Sequence, residues 1–161
     1  MQEIKYKPIG VVCSEFKEPK GTPIQPKAGE GCEGRIKIFS EFAEGLKDID
    51  GFSYIILIYH FHLLKESSLI VKPFMDNFTH GIFSTRSPSR PNPIGMSVVQ
   101  LIKVDENSLH IKDMDIVDGT PILDIKPYVP AIDDRDATNI GWLENNVKKL
   151  PGLKDDGRFV K

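Results

Sequence analysis

The sequence predicts a mainly β protein that forms one domain, either a barrel or a sandwich, with a few short helices. Three observations lead to this prediction. Short segments rich in β-branched and aromatic residues recur at regular spacing, Gly and Pro separate them, and no alternation of strands with long helices runs through the chain. The chain has 161 residues, of which 40% are hydrophobic and 27% charged, so it can bury a core without disulfides or metals.

The first half of the chain contains three predicted strands, over residues 4–13, 35–39 and 52–64. The third strand is apolar at consecutive positions and rich in Ile and Tyr, which predicts a central strand buried on both sides. Between the second and third strands, Ser40 is placed to cap a short helix over residues 41–47.

A Pro- and Gly-rich loop over residues 14–31 joins the first two predicted strands. At its end, residues 29–34 match the G-x-G-x-x-G pattern of dinucleotide-binding proteins. That pattern requires a strand before it and a helix after it. Here a loop precedes the match and a strand-like segment follows it, so we expect no dinucleotide site.

The second half of the chain continues the same pattern. Strands are predicted over residues 94–104, 109–116 and 122–128, with turns at residues 105–108 and 119–121. Residues 73–79 are expected to be irregular. Apolar residues at helical spacing over residues 139–150 predict one late helix.

Charge, cysteine content and hydropathy limit the class of protein. The formal net charge is −2, so any contact with RNA requires a local patch or one built from two subunits. Cys13 and Cys32 lack C-x-x-C spacing, which predicts reduced, packed thiols. No apolar run approaches a membrane span and the N-terminal residues lack the apolar core of a signal peptide, which predicts a cytoplasmic protein without a membrane partner.

The most unusual segment runs over residues 81–95, with the sequence GIFSTRSPSRPNPIG. Its three prolines fix φ and remove backbone donors, so a stiff, largely extended loop is expected instead of a helix. Arg86 and Arg90 on this loop offer planar donors suited to carboxylates or phosphates. The alternative is an ordinary surface loop whose arginines are solvated or bonded to backbone carbonyls. The density of polar groups between two apolar runs favours a ligand-binding loop.

This segment resembles the signature of the TsaA-like, or TrmO, family of S-adenosylmethionine-dependent tRNA methyltransferases. The resemblance extends in the family's order through residues 23–25 (PIQ), 41–52 (EFAEGLKDIDGF), 60–62 (HFH) and 115–130 (DIVDGTPILDIKPYVP). It implies an antiparallel β-barrel-like domain that pairs into a homodimer, with the cofactor near the subunit boundary. We expect the barrel to cover residues 1–138 and a short helical tail of the same domain to cover residues 139–161.

The resemblance also implies an activity, namely methyl transfer from S-adenosylmethionine to the exocyclic N6 of threonylcarbamoyladenosine beside the tRNA anticodon. The expected cofactor-binding residues are Pro23, Ile24, Gln25, His62, Leu63, Arg90, Asp118, Gly119, Thr120 and Pro121. Arg86 is expected on the substrate, at an RNA phosphate or at the carboxylate of the acceptor. The sulfonium already supplies a good leaving group, so a strong base is not obligatory. Asn92 and Asp118 are the candidate catalytic residues, as weak proton acceptors.

Two departures from the family pattern bear on RNA binding. The family usually has a basic residue where this chain has Ile24, a change that main-chain contacts to adenine would survive and a charged contact to RNA would not. Longer bacterial members continue into a second domain, whereas this sequence ends at Lys161 with a tail too short to replace one. The identity of the RNA substrate therefore stays open.

Several residues have more than one interpretation from the sequence. His60 and His62 lie on one face of a strand, so they either begin a zinc site that lacks an evident third ligand, or are hydrogen-bonded core residues, or contact the cofactor. A metallohydrolase or a non-catalytic binding module thus remains an alternative function. Phe16 and Phe83 are either core residues or stacking platforms for a base.

A similar ambiguity concerns the aspartates around the segment Gly119-Thr120-Pro121. Asp115, Asp118 and Asp124 bracket this segment. They are explained by turn chemistry alone, because Asp-Gly and Thr-Pro are favoured in turns. Alternatively, one carboxylate binds the adenosine part of the cofactor or accepts a proton.

Overall fold

The computed structural model describes residues 3–160. The first two residues of the predicted barrel segment (1–138) and the last residue of the predicted tail (139–161) lie outside the described part. Its strands are β1 (Gly10–Cys13), β2 (Glu33–Ile38), β3 (Tyr54–His60), β4 (Ile70–Val71), β5 (His80–Gly81), β6 (Ile94–Asp105), β7 (Ser108–Lys112) and β8 (Pro121–Pro127). Within this part, six strands close into an antiparallel barrel in the order β1-β2-β7-β6-β3-β8, and β4 pairs with β5 separately. The predicted mainly β, barrel-like fold is confirmed.

The helices are all short. In the described part of the chain six are 3-10 helices, namely Pro26–Ala28, Ser40–Leu46, Ile49–Gly51, Ile82–Ser84, Gly141–Leu143 and Val147–Lys149, and one is a single α-helical turn, α1 (Pro130–Asp133). None of the helices within residues 3–160 is long and apolar enough to span a membrane.

The core lies inside the barrel, where alternate residues of each strand point inward. On β3, Ile55 and Leu57 are fully buried and Tyr59 nearly so, because a strand sends successive side chains to opposite faces. The other strands contribute further aliphatic residues: Val12, Ile36, Ile38, Val99, Leu101, Leu109, Ile111 and Ile122. Closure of the barrel leaves these six strands without a free edge and buries a core from this short chain.

The prediction that β3 is buried on both sides is wrong. Its outward residues Ile56 and Ile58 are only partly buried, and Tyr54 is 40% exposed. No second layer covers this side of the barrel within the described residues. The run of consecutive apolar residues therefore marks one buried face and one apolar outer face.

Two predicted helices also differ from the structure. Ser40 begins a 3-10 helix that ends at Leu46, but the flanking residue is Phe39 and no side chain caps the end. Over residues 139–150, two short 3-10 helices replace the predicted single helix. Gly141 begins the first of them with a positive φ of 58°, which a continuous right-handed helix does not contain.

The first and fifth predicted strands are shorter in the structure. The first strand begins at Gly10, because Pro8 interrupts it and the side chains of Ile4 and Tyr6 project into solvent. The strand predicted over residues 109–116 ends at Lys112 as β7. The chain then leaves the barrel at Asp113, which has a positive φ of 64°.

Residues 139–160, here called the tail, return along one side of the barrel. Lys154 bridges to Pro23 in antiparallel fashion. The backbone N–H of Asp155 donates to the carbonyl of Thr22 at 2.8 Å, and Gly21 donates to the carbonyl of Asp155 at 2.8 Å. These bonds attach the tail to the loop between β1 and β2.

Candidate functional site

A cavity of about 530 Å³ lies where β3 ends and the connection between β7 and β8 crosses the barrel. Its walls come from six stretches of the chain. They are the loop between β1 and β2, the end of β3 with the residues after it, the segment between β4 and β5, the segment before β6, the connection between β7 and β8, and the tail. Of the predicted site residues, the lining includes Pro23, Ile24, Gln25, His62, Leu63, Arg86 and Thr120. The remaining predicted residues, Arg90, Asn92, Asp118, Gly119 and Pro121, lie outside this lining.

The loop over residues 81–95 is held in place by its own side chains. It opens with the 3-10 helix Ile82–Ser84, in which Ile82 is buried, and then runs without regular structure to β6. Thr85 donates from Oγ1 to the carbonyl of Ile82 at 2.9 Å and accepts from the N–H of Ser87 at 3.2 Å. Thr85 and Ser87 are both buried. Small hydroxyl residues just before the first proline of the loop therefore act as internal braces.

The two arginines of this loop occupy different environments. Arg86 is exposed, lines the cavity and donates from Nη1 to Oε1 of Gln25 at 3.0 Å. Arg90 instead donates from Nη1 to the carbonyls of Ile82, at 3.2 Å, and Thr85, at 2.8 Å. The alternative interpretation from the sequence, an arginine bonded to backbone carbonyls, thus describes Arg90. Arg86 is the guanidinium that faces the cavity.

A buried carboxylate, Asp115, forms part of the cavity wall and is only 8% exposed. Its Oδ2 accepts a hydrogen bond from Oγ of Ser97 at 3.0 Å, and Oγ of Ser97 lies 3.1 Å from the hydroxyl of Tyr59. Because Ser97 has a single proton to donate, the Tyr59 hydroxyl is the donor in the second bond. Oδ1 of Asp115 has no hydrogen-bond partner.

Burial dominates the electrostatics of this chain of three residues. It raises the pKa of Asp115 to about 7, against smaller opposing effects of the Ser97 hydrogen bond and the Arg86 charge. Burial, followed by the nearby Asp115 charge, raises the pKa of Tyr59 far above its ordinary value. The Asp115 carboxyl therefore changes its charge near neutral pH, whereas the tyrosine stays protonated.

Asp118, the aspartate predicted as catalytic, lies in a turn beside the cavity. Its Oδ1 accepts from the N–H of Ser14 at 3.0 Å, and its Oδ2 lies 2.9 Å from Nζ of Lys17. The hydrogen bond to Lys17 and then that to Ser14 hold the pKa of Asp118 below its ordinary value. Gly119 follows with a positive φ of 75°. The turn interpretation from the sequence describes these two residues.

Asp115 is a functional candidate that the sequence pattern did not separate from its neighbours. From the sequence it was one of three aspartates around a turn, any of which could bind the cofactor or accept a proton. The signal that separates it from the others is its position in Met114-Asp115-Ile116, between two residues that are buried in the barrel. A carboxylate inside an apolar segment is unusual and needs a partner or a role.

The histidines at the end of β3 contribute one polar group to the cavity. Nδ1 of His62 lies 3.3 Å from Oγ1 of Thr120, and both residues line the cavity. Burial, and then the neighbouring His60, lower the pKa of His62. Within residues 3–160, no cluster of three His, Cys, Asp or Glu side chains is arranged to hold a metal ion. Cys13 and Cys32 are both free thiols and half-buried.

Aromatic side chains lie at the rim of the cavity and in the wall that the tail forms. Phe16 is partly buried against the core, whereas Phe83 is 77% exposed and lines the cavity, so only Phe83 is available for stacking. Trp142 of the tail stacks on His80, with ring centroids 4.5 Å apart, and donates from Nε1 to the carbonyl of Ser84 at 2.8 Å. The other tail residues of this wall are mostly apolar: Leu143, Val147, Leu150, Phe159 and Val160.

Comparison with known proteins places this geometry in a family. Residues 11–134 match the model of the tRNA-methyltransferase O N-terminal domain. The chain is 58% identical over 156 residues to a probable S-adenosyl-L-methionine-binding protein of Pyrococcus abyssi, covering 97% of this chain and 85% of that protein. It is 36% identical over 140 residues to the tRNA (adenine(37)-N6)-methyltransferase of Escherichia coli, covering 81% of this chain and 60% of that protein.

The barrel also resembles a solved structure. The crystal structure of TrmO from Pseudomonas aeruginosa superimposes with a TM-score of 0.74 at 33% identity, over 88% of this chain and 62% of that one. The chain thus spans about three fifths of the length of these bacterial proteins. The match to the family model ends at residue 134, before the tail that closes the cavity.

Proposed function

The chain belongs to the tRNA-methyltransferase O N-terminal domain family, and from this we propose that it is an enzyme that methylates adenosine in tRNA with S-adenosylmethionine. The acceptor in this proposal is N6 of threonylcarbamoyladenosine in the anticodon loop. The observation that carries the proposal is the cavity, which brings residues of four family motifs, Arg86 and Asp115 among them, together in a largely apolar pocket.

The cavity has the groups that the cofactor requires. S-adenosylmethionine combines an aromatic base, a cationic sulfonium and an amino acid end, so its site needs apolar surface, a cationic donor and oxygen acceptors. Apolar side chains make up most of the lining, Arg86 is the guanidinium in the wall, and Gln25 and Thr120 supply side-chain oxygens. When bound, the cofactor supplies an activated methyl group with a neutral sulfur leaving group.

Named residues would hold the cofactor as follows. The Arg86 guanidinium, expected from the sequence on the substrate, would here take the carboxylate of the cofactor's amino acid end, in a charge-assisted pair. Residues 23–25 and Leu63 offer backbone and apolar surface to the base, and His62 with Thr120 offers polar groups to the ribose. Arg90 stabilises the loop through its hydrogen bond to the carbonyl of Thr85. The predicted roles of Asn92, Asp118, Gly119 and Pro121 stay predictions, and any effect of theirs on the cofactor would pass through the turn or loop that carries them.

The protein's contribution to catalysis is mainly positioning. Strands of the barrel and the braced loop fix the wall residues before any ligand arrives, and the apolar lining excludes water. Alignment of reacting groups in such a site lowers barriers by roughly 7–11 kcal/mol in well-oriented systems. An unstacked base of the anticodon loop reaches such a pocket without disruption of a duplex, and the exposed ring of Phe83 is a platform for it.

A homodimer is part of the proposal, and the outer face of β3 and β6 supports it. Cross-strand pairs there are apolar, with Ile58 opposite Met96 and Ile56 opposite Val98. Met96 is 46% exposed, so part of this face remains uncovered in one copy. An apolar sheet face that pairs with its own copy is a common basis of two-fold dimers. A cytoplasmic location follows from the tRNA substrate.

The test is incubation of the purified protein with methyl-labelled cofactor and bulk tRNA, followed by mass spectrometry of the nucleosides. We expect methyl label in threonylcarbamoyladenosine and none in tRNA from cells that cannot make that nucleoside. A thermal shift with the cofactor but no labelled nucleoside from any tRNA would instead identify a non-catalytic binding module. The name of the Pyrococcus abyssi relative favours that module as the second candidate.

A further inference from the structure

The unpaired oxygen of Asp115 requires an explanation. Buried polar atoms in folded proteins nearly always have a hydrogen-bond partner, and an unsatisfied one costs about 1–3 kcal/mol. Among the buried side-chain nitrogen and oxygen atoms of residues 3–160, only Oδ1 of Asp115 and Oγ of Ser87 have no partner. Both residues line the cavity. A hydroxyl can rotate towards a ligand or a water molecule, whereas the Asp115 carboxylate is fixed and presents a ready acceptor.

The orientation of the Asp115 carboxylate is fixed by hydrogen bonding at its other oxygen, Oδ2. Ser97 on β6 holds Oδ2, and Tyr59 on β3 holds Ser97 through its hydroxyl. The two strands are paired over seven consecutive residues, from Tyr54 opposite Gln100 to His60 opposite Ile94. One oxygen is therefore anchored to the barrel while the other stays available in the wall of the cavity.

The charged groups around this carboxyl leave it able to change its protonation. Arg86 on the loop before β6 is the cation that acts on it, and Tyr59 on β3 is a neutral neighbour. The other titratable side chains in the lining are His62, after β3, and Asp155, in the tail. Burial outweighs the Arg86 charge, so the pKa of Asp115 is raised to about 7. Asp118, by contrast, is held ionised by Lys17 and is a weak base.

We propose that Asp115 is the proton acceptor of the methyl transfer, which deepens the function proposed above and rests on it. The bond from the acceptor nitrogen to the methyl carbon forms while the carbon–sulfur bond breaks, and that electron pair stays on sulfur. The proton of the methylated nitrogen passes to Oδ1 of Asp115, and Oδ2 remains bonded to Ser97. This role moves the catalytic assignment from Asp118 to Asp115.

The test compares Asp115→Asn with the wild type in single turnover at saturating cofactor and tRNA. We expect the methylation rate to fall by about 10²–10⁴-fold, the usual contribution of a positioned proton acceptor, with cofactor affinity changed less than fivefold. Asp105→Asn is the matched control. Asp105 is an exposed aspartate at the last residue of β6, away from Ser97, and the rate of this variant should equal that of the wild type.

The pH profile separates a proton acceptor from a merely structural aspartate. The wild-type rate should rise with pH and level off above about 7, where the carboxylate is ionised. The residual rate of Asp115→Asn should be independent of pH over the same interval. Equal profiles of the two proteins would overturn the assignment, because a structural role leaves the titration unchanged.

A measurement without turnover tests the carboxyl itself. Because the pKa of Asp115 is raised in the folded protein, that protein should lose stability to urea as the pH rises from about 4, the ordinary pKa of an aspartate, to about 7. Asp115→Asn should reduce this loss and leave the share of Asp155, whose pKa burial also raises, whereas Asp105→Asn should keep all of it. If all three proteins show the same pH dependence, the carboxyl does not titrate as the proposal requires.

The outcomes separate the two proposals. Product from the wild type and from Asp115→Asn at equal rates overturns the role of Asp115 and leaves the proposed function intact. Loss of cofactor binding in Asp115→Asn with an unchanged rate at saturation makes Asp115 a cofactor ligand and also overturns the role. Absence of product from the wild type overturns the proposed function, and the proton-acceptor role fails with it.

Discussion

The two walls of the cavity differ in how they are built. The barrel wall contains Tyr59 and Asp115, and both are fixed by buried hydrogen bonds to Ser97 between paired strands. The tail wall contains Trp142 and other residues that are mostly apolar, attached by a ring stack and a few exposed hydrogen bonds. The barrel wall lies within the residues that match the family model, and the tail wall lies outside them. The polar groups of the pocket thus lie in the part that matches the family model, and the tail that closes the pocket lies outside that part.

The same difference predicts different local stabilities. Opening of the barrel wall requires separation of β3 from β6, which are paired over seven residues. Opening of the tail wall requires loss of the Pro23–Lys154 bridge and the contacts of Trp142. Segments with few buried contacts open at lower free energy than strands in the core. The tail is therefore the expected route by which a ligand enters.

The largest expected effect comes from Gly95→Ala in the barrel wall. A Cβ at Gly95 would lie 2.3 Å from Cε2 of Tyr59 and 2.9 Å from Cζ of Phe61. Tyr59 is nearly buried and hydrogen-bonded, so its ring cannot move aside cheaply. We expect a loss of about 1–3 kcal/mol in the free energy of unfolding, as for other overpacked cores, together with weaker cofactor binding. Urea unfolding and calorimetry measure both effects.

Gly45→Ala is the control for this substitution. Gly45 lies in the 3-10 helix Ser40–Leu46, and an added Cβ there meets no other atom within 4 Å. Its unfolding free energy should stay within about 0.5 kcal/mol of the wild type. Equal stability of the Gly95→Ala variant and this control would show that the barrel wall is looser than its hydrogen bonds indicate.

The next effect separates the two arginines of the loop. Arg86→Ala should raise the Kd for S-adenosylmethionine by about 10–100-fold, the value of a charge-assisted hydrogen bond. It should leave stability almost unchanged, because Arg86 is exposed. Arg90→Ala should instead lower the unfolding free energy by about 1–3 kcal/mol, since two carbonyl groups lose their donor. Calorimetric titration and urea unfolding of both variants give the comparison.

Arg86→Lys provides an internal control, because it keeps the charge and removes the planar fork. Its affinity should fall between those of the wild type and Arg86→Ala. A loss of affinity in Arg90→Ala as large as in Arg86→Ala, without loss of stability, would support the sequence prediction that Arg90 contacts the cofactor.

The smallest effect is expected in the tail wall, from Trp142→Ala. This change removes the stack on His80 and the hydrogen bond to Ser84, but no strand of the barrel. We expect the Kd for the cofactor to rise about fivefold, or about 1 kcal/mol, and faster hydrogen exchange in the tail alone. Ile140→Ala, at an exposed neighbour outside the lining, should bind as the wild type does. Faster exchange in β3 as well would show that the two walls open as one unit.

Much of the fold was predictable from the sequence because strands are local. The segments that became β3, β6 and β8 were recognisable from β-branched residues and from the turns between them. The pair β4 and β5 was missed, because two-residue strands leave no periodic pattern. The outer face of β3 was misjudged, since an apolar run does not reveal whether a second layer covers it.

The site was predictable only where the resemblance supplied it. Residues 23–25 and Arg86 line the cavity as parts of recognisable motifs. The burial of Asp115 depends on barrel closure, which brings Ser97 and Tyr59 to it from two other stretches of the chain. The contact of Trp142 with Ser84 joins residues 58 positions apart, and no local pattern encodes it.

The bond between Gln25 and Arg86 has a consequence for discrimination among anions. In the free protein the guanidinium already has a neutral amide as its companion. A carboxylate that takes the Nη1 donor displaces that amide, so at this one donor its net gain is the difference between an ionic and a neutral hydrogen bond. Inorganic phosphate and other abundant cellular anions face the same exchange without the adenosine contacts to offset it. The Gln25 amide thus occupies Arg86 in the free protein, which favours ligands that contact both Arg86 and the part of the pocket that would hold adenosine.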